Sequence, residues 1–293
     1  MNIFNGLDDV VETDYPLHAH TWYGLGGPAD YFIRPRTVEQ LAQAVIRCKE
    51  NQIKLYVIGA GSNVLISDEG VRGAVIRLDS GDFTRSEYHA DGVTVWAGQE
   101  LKTLILTCVK KGLAGLETLT GIPGTVGGAV RMNAGGDFAD IGSVVESVTL
   151  MDNQGQVFER SKPDLSFDYR KTNITAKLIL KVDIKLVPGD PEHIMRTLQE
   201  TWIHKKNNQP LHIHRCGSIF KDPRGQSAGT LIDRAGLTGL QIGGARVSDK
   251  HGNFIVADKG CQSVDVLRLM DAVRERIREQ FDIELETDIE IWQ

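Results

Sequence analysis

The segment Gly121–Gly136 reads GIPGTVGGAVRMNAGG, six glycines in sixteen residues with Arg131 as its one charge. Glycine at that density lowers the cost of unusual backbone angles and lets main-chain N–H groups come close to an anion. Most of the polar residues of a solvated loop are missing, and Ile122, Val126, Ala129 and Val130 stand between the glycines. The segment is therefore expected to be packed. A packed, nearly uncharged glycine loop suits an extended ligand that carries phosphates and a flat apolar ring; a plain set of tight turns has the same composition.

A second such segment, Gly59-Ala60-Gly61-Ser62-Asn63, follows the apolar run Leu55–Ile58. Val64 stands where a G-x-G-x-x-G would place its third glycine, and no helical pattern follows, so a Rossmann site is not expected. A strand opening into a turn of exposed N–H groups, with Ser62 and Asn63 as side-chain donors, still makes a pyrophosphate cradle. Two cradles fit a diphosphate with a second arm, and FAD is the commonest such ligand outside the Rossmann class.

These segments need elements to hold them. Thr37-Val38-Glu39-Gln40 has the form of a capping box, with Val38, Leu41, Ala42, Val45 and Ile46 on the inner face of a helix to about Glu50. A second helix is predicted over Leu101–Lys111, with Leu104, Ile105, Cys108 and Val109 inward and Gly112 as its stop. Strands are predicted at 74–78, 92–97, 145–151 and 177–186. The punctuation Val187-Pro188-Gly189-Asp190-Pro191 marks a domain boundary, with Asp190 capping a helix through Ile194, Leu198 and Trp202. A last helix is expected over 264–281, with Leu269, Val273 and Ile277 on one face, then a closing strand at 284–292. Strands mixed with helices, without regular βαβ alternation, indicate an α+β fold.

The bulk numbers exclude several classes. With 39 acidic against 33 basic residues, the net charge of −6 argues against nucleic acid as a partner. No apolar run approaches the ~18 residues needed to cross a bilayer, and the acidic start shows no secretory signal. Cys48, Cys108, Cys216 and Cys261 are far apart and are expected as free thiols of a cytoplasmic protein. His212 and His214 share a strand face without a third ligand, so no metal is expected.

Seven motifs then occur in order: GLGGPAD at 24–30, YVIGAGSNVL at 56–65, GLETLTGIPGTVGGAVRMNAG at 115–135, DYRKTN at 168–173, CGSIFKDP at 216–223, AGTLIDRAGL at 228–237 and IGGARVSDKHGNFIV at 242–256. Together they resemble the UDP-N-acetylenolpyruvoylglucosamine reductase family over essentially the whole chain. The short spacing from Arg170 to Ser218 is similar to its shorter subtype, which lacks a substrate-capping tyrosine loop. The resemblance implies a two-lobed FAD-binding domain of the vanillyl-alcohol-oxidase (PCMH) type over 1–188, with lobes of about 1–80 and 81–188. It implies a C-terminal α+β substrate domain over 189–293. It also implies FAD and NADPH as cofactors, a UDP-sugar enolpyruvyl ether as substrate, and action as a monomer. Another flavin oxidase or dehydrogenase, or a non-catalytic FAD or UDP-sugar binder, remains the alternative.

The implied chemistry puts a hydride on the terminal methylene carbon of an enol ether conjugated to a carboxylate. Negative charge then accumulates on that carboxylate, and the adjacent carbon needs a proton. Arg170 matches the family's carboxylate-binding arginine; an ion pair with Asp168 is the structural alternative. Ser218 matches the proton donor. The family glutamate falls on Asp288, in Leu285-Glu286-Thr287-Asp288-Ile289, one methylene or ~1.5 Å shorter. Period-2 alternation puts Glu286 on the same face, so it competes for the role. The resemblance assigns the cofactor to Gly59, Ala60, Gly61, Ser62, Asn63, Val64 and Leu65. It adds Gly121, Ile122, Pro123, Gly124, Val126, Gly127, Gly128, Ala129, Asn133, Ala134 and Gly135. It assigns the substrate diphosphate to Lys206, with Lys205 beside it, and to Lys221 and Asp222, the last needing a partner such as Lys221.

Overall fold

The computed structural model describes residues 3–136, 138–210, 215–223 and 225–293, so His212 and His214 lie outside the described residues. By contacts the chain forms two compact units. The first comprises Met1–Tyr15, Ala29–Ala60 and Arg72–Ile203; the second comprises Pro16–Pro28, Gly61–Val71 and His204–Gln293.

The first unit is built on two sheets. One has the order Val11–Pro16, Pro28–Ile33, Val71–Arg77, Leu55–Ile58, the last pair parallel with Leu55 opposite Ala74. Helix α1, Val38–Glu50, packs in its core. The Thr37 hydroxyl accepts the Gln40 N–H at 3.3 Å as expected, but Gln40 Oε1 accepts from Arg36 N–H, one residue before the cap. Leu41 and Val45 are buried as expected, with Val38 and Ala42 packed against the same core; Ala44 and Cys48 are buried too, and Ile46 is exposed. Ala42 and Ile46 also lie by the turn at Gly155, where an added Cβ would meet them at 3.3 and 3.2 Å.

The other sheet is antiparallel, in the order Val157–Ser161, Val145–Met151, Leu178–Lys185, Gly92–Trp96, Ser86–His89. Helix α2, Leu101–Lys110, buries Leu101, Leu104, Ile105, Cys108 and Val109 in its core, and Gly112 follows at φ +70°. The short α3, Val126–Arg131, lies in the glycine-rich segment. Helix α4, Pro191–Asn208, starts where expected: Asp190 accepts the N–H groups of Glu192 and His193. Its Ile194 and Leu198 join the same core, which keeps the helix in the first unit through Ile203. Val187–Pro188 is a short strand paired with Leu113–Ala114, and the division falls within α4.

The second unit has a four-stranded antiparallel sheet in the order Cys216–Ser218, Phe254–Ala257, Ala245–Val247, Gln241–Ile242. Helices α5, Ala228–Arg234, and α6, Ser263–Phe281, complete it, and Leu269, Val273 and Ile277 of α6 are buried together as expected. Tyr23, Leu25 and Leu65 belong to its core, which draws in the two N-terminal segments. The closing strand is shorter than expected: only Glu290–Trp292 form a ladder, parallel to Val64–Ile66. Upstream, the N–H groups of Asp288 and Ile289 both point at the Ile219 carbonyl. This is the two-to-one pairing of a bulge rather than a regular ladder.

Candidate functional site

Within the first unit, Gly59 approaches the second glycine segment. A Cβ on Gly59 would lie 2.5 Å from Thr125 Oγ1, so only glycine permits the contact. Three N–H groups of the second segment are taken within the protein. Val126 donates to Gln99 O, Gly127 to Ala97 O and Gly128 to Thr125 Oγ1, at 2.9, 2.8 and 3.3 Å. Gly127 is there to sit on Ala97. The donors left for an anion shift upstream: the N–H groups of Gly121, Gly124 and Thr125 have no acceptor among the described residues. Val126, Ala129 and Ala134 bury their side chains, and Ile122 packs against the same core.

At the first segment the N–H groups of Ala60, Gly61 and Asn63 likewise have no acceptor among the described residues. The Asn63 side chain is not available as expected, because its Nδ2 donates to Asp288 O at 2.9 Å. Val64 and Leu65 are buried in the strand that follows. Backbone donors without protein acceptors, in turns that a Cβ would block, fit the diphosphate of FAD. Among the described residues no group of three His, Cys, Asp or Glu could hold a metal.

Arg170 lies in the two-residue turn joining Phe167–Asp168 to Lys171–Thr172, at φ +54°. A left-handed non-glycine residue costs on the order of 1 kcal/mol and persists only where its surroundings impose it. Its Nη1 donates to Gly135 O at 3.0 Å, at the end of the glycine-rich segment, and its Cζ lies 5.4 Å from the Tyr169 ring centre. Among the described residues no ion pair joins it to Asp168.

Ser218 ends the strand Cys216–Ser218 in the second unit, opposite Phe254. Two residues that the sequence did not single out brace it. The buried Tyr23 hydroxyl donates to Gly217 O at 3.0 Å. The buried Asn253 side chain accepts Phe220 N–H at 2.9 Å and donates to Phe220 O at 2.7 Å, and Asn253 O accepts Ile219 N–H. An asparagine directly before the apolar run Phe254–Ala257 would have been the clue to the second. The Cys216 thiol beside Ser218 is pushed up to about 12 by burial, which removes it as a nucleophile.

Glu286 and Asp288 differ in exposure. Asp288 is half-buried with Oδ1 buried, whereas the Glu286 side chain is 77% exposed and lies 3.4 Å from Lys221 Nζ. The partner expected for Asp222 also differs: Lys221 turns to Glu286, and Asp222 Oδ1 accepts Ala228 N–H at 2.7 Å at the start of α5. Lys206 is exposed, and Lys205 is buried.

Residues 29–161 match the family model described as FAD binding domain. The α+β fold and its glycine turns, with that match, define an FAD-dependent oxidoreductase. Residues 209–292 match UDP-N-acetylenolpyruvoylglucosamine reductase, C-terminal domain. The enzyme of that name from Bacillus subtilis is 39% identical over 96% of this chain and 93% of its own length. That from Clostridium botulinum is 39% identical over 99% and 96%. The crystal structure of the Thermus caldophilus reductase superposes with a TM-score of 0.83 at 37% identity, covering 97% of this chain and 98% of that one. The chain belongs to the UDP-N-acetylenolpyruvoylglucosamine reductase family.

Proposed function

We propose that this chain reduces the enolpyruvyl ether of UDP-N-acetylglucosamine to UDP-N-acetylmuramate, a peptidoglycan precursor, with FAD and NADPH. Bound FAD supplies the hydride, which it takes from NADPH. FAD is held by the turns at 59–65 and 121–135, and the UDP-sugar by Lys206, Lys221 and Asp222 at its diphosphate. Arg170 holds the substrate carboxylate, where its fixed charge offsets the negative charge that builds up as the methylene carbon is reduced. Ser218 gives its hydroxyl proton to the adjacent carbon, and Asp288 orients the reacting group. UDP-sugars and NADPH are cytoplasmic metabolites, so we place the enzyme there, acting as a monomer.

The observation that supports this reading most directly is the arginine turn. A strained backbone holds a guanidinium against the carbonyl that ends a glycine-rich cofactor segment. The test is spectroscopic. The purified protein is yellow, NADPH bleaches it, and the enolpyruvyl sugar restores the colour without oxygen. A protein that NADPH bleaches but the sugar leaves reduced has another substrate.

A further inference from the structure

Asn133 is 3% exposed and stands in the left-handed region at φ +43°, yet it is grouped by sequence with the cofactor loop. Its side chain is committed to the protein. Oδ1 accepts the buried Gly142 N–H at 3.0 Å, and Nδ2 donates to Asp168 O at 2.9 Å. Asp168 is two residues before Arg170, in the strand that leads into its turn. No side chain fits at Gly142, where a Cβ would come 2.4 Å from Phe167 Cγ and 2.7 Å from Asn133 Oδ1.

Neighbouring contacts continue the pattern. Arg131 O accepts from Thr172 Oγ1 at 3.4 Å, and Gly135 O accepts from Arg170 Nη1. Residues 131, 133 and 135 of the glycine-rich segment thus hold residues 172, 168 and 170 of the hairpin. Of the three contacts, only that of Asn133 is made by a buried side chain that also anchors the next turn, 141–144. We propose that Asn133 is a positioning residue that fixes the Arg170 guanidinium for the substrate carboxylate.

This rests on the assignment of Arg170 above, and the experiment separates the two. Flavin-loaded, oxidised enzyme without NADPH is titrated calorimetrically with UDP-N-acetylmuramate, which carries the carboxylate, and with UDP-N-acetylglucosamine, which does not. Asn133→Asp keeps an acceptor for Gly142 but removes the donor to Asp168. It is expected to weaken the carboxylate ligand by ~10-fold or more, the effect of one lost buried hydrogen bond, and the other ligand less than ~2-fold. Asn133→Gly, which accepts the left-handed backbone at no steric cost, should behave alike. In an Arg170→Ala background, neither change should have a further effect on the carboxylate ligand.

Equal weakening of both ligands overturns the proposal, as does a full additive loss in the Arg170→Ala background. Failure of both Asn133 variants to give folded, flavin-loaded protein would assign the residue to the fold alone and overturn it too. If Arg170→Ala leaves the preference for the carboxylate intact, the Arg170 assignment falls, and this proposal with it. If Arg170 matters and Asn133→Asp changes nothing, only this proposal falls.

Discussion

The N–H of Asp288 donates to the carbonyl of Ile219 at 2.7 Å, so one peptide next to Ser218 also anchors the acidic segment. With Tyr23 on Gly217 O and Asn253 on Phe220, the backbone around Ser218 is held at several points. Removing only the hydroxyl should therefore leave this frame in place. Ser218→Ala is expected to keep flavin reduction by NADPH near normal and to slow reoxidation by the enolpyruvyl sugar by ~10²–10⁴-fold, the usual worth of a positioned proton donor. Stopped-flow absorbance reads both half-reactions. Equal losses in the two would give Ser218 a role in flavin binding instead.

The difference in exposure between Asp288 and Glu286 makes them distinguishable. The Glu286–Lys221 pair is exposed on its acidic side, and such pairs contribute ~0–1 kcal/mol. Glu286→Gln should leave kcat/KM within ~2-fold, since only that weak pair is lost. Asp288→Ala should lower it ~100-fold or more, as expected when a reacting group is mispositioned by about 1 Å. Steady-state kinetics on both variants decides; a larger loss at Glu286 would move the acidic role there.

Tyr23 gives a stability counterpart. Its hydroxyl bonds Gly217 O where both groups are buried, and burial raises its own ionisation well above the ordinary value. Tyr23→Phe removes the donor and leaves the carbonyl without it, which should cost ~1–3 kcal/mol. Chemical denaturation measures this. A change near zero would mean that the strand relaxes to find another donor.

Legibility in the sequence followed the range of the interactions. Thr37, Gly112 and Asp190 act within a few residues of themselves, so the ends of α1, α2 and α4 could be read directly. The inner face of α1 was legible except at Ile46, which is exposed beside the turn at Gly155. The glycine segments stood out as packed turns. Which of their N–H groups are spent was not evident, since Ala97 and Gln99 come from a neighbouring strand end. Tyr23 reaches its partner across 194 residues, and no local pattern marks that contact. Alternation did not reveal the difference in exposure between Glu286 and Asp288, nor the doubled acceptor just past Thr287.

His251 sets the last expectation, on acid stability. Its ring packs where a Cβ on Gly229 would come within 2.6 Å, edge-on to Phe254, and Nδ1 accepts the Asn253 N–H at 3.1 Å. Burial lowers its pKa from the ordinary 6.5, against the opposing pull of Asp233 and Asp222. The native ring therefore stays neutral at pH values where the unfolded chain already binds a proton. Between the depressed native value and 6.5 the unfolded state holds more protons, so stability rises with pH and falls on acidification through that window. Above it the contribution is constant. Protonation would also remove the acceptor at Nδ1, and so loosen the residue that clamps Phe220 beside Ser218. Melting curves from about pH 7.5 down to 5.5 should show a shallower loss in His251→Gln, which has no proton to gain. Identical slopes for the two proteins would assign the acid sensitivity to other groups.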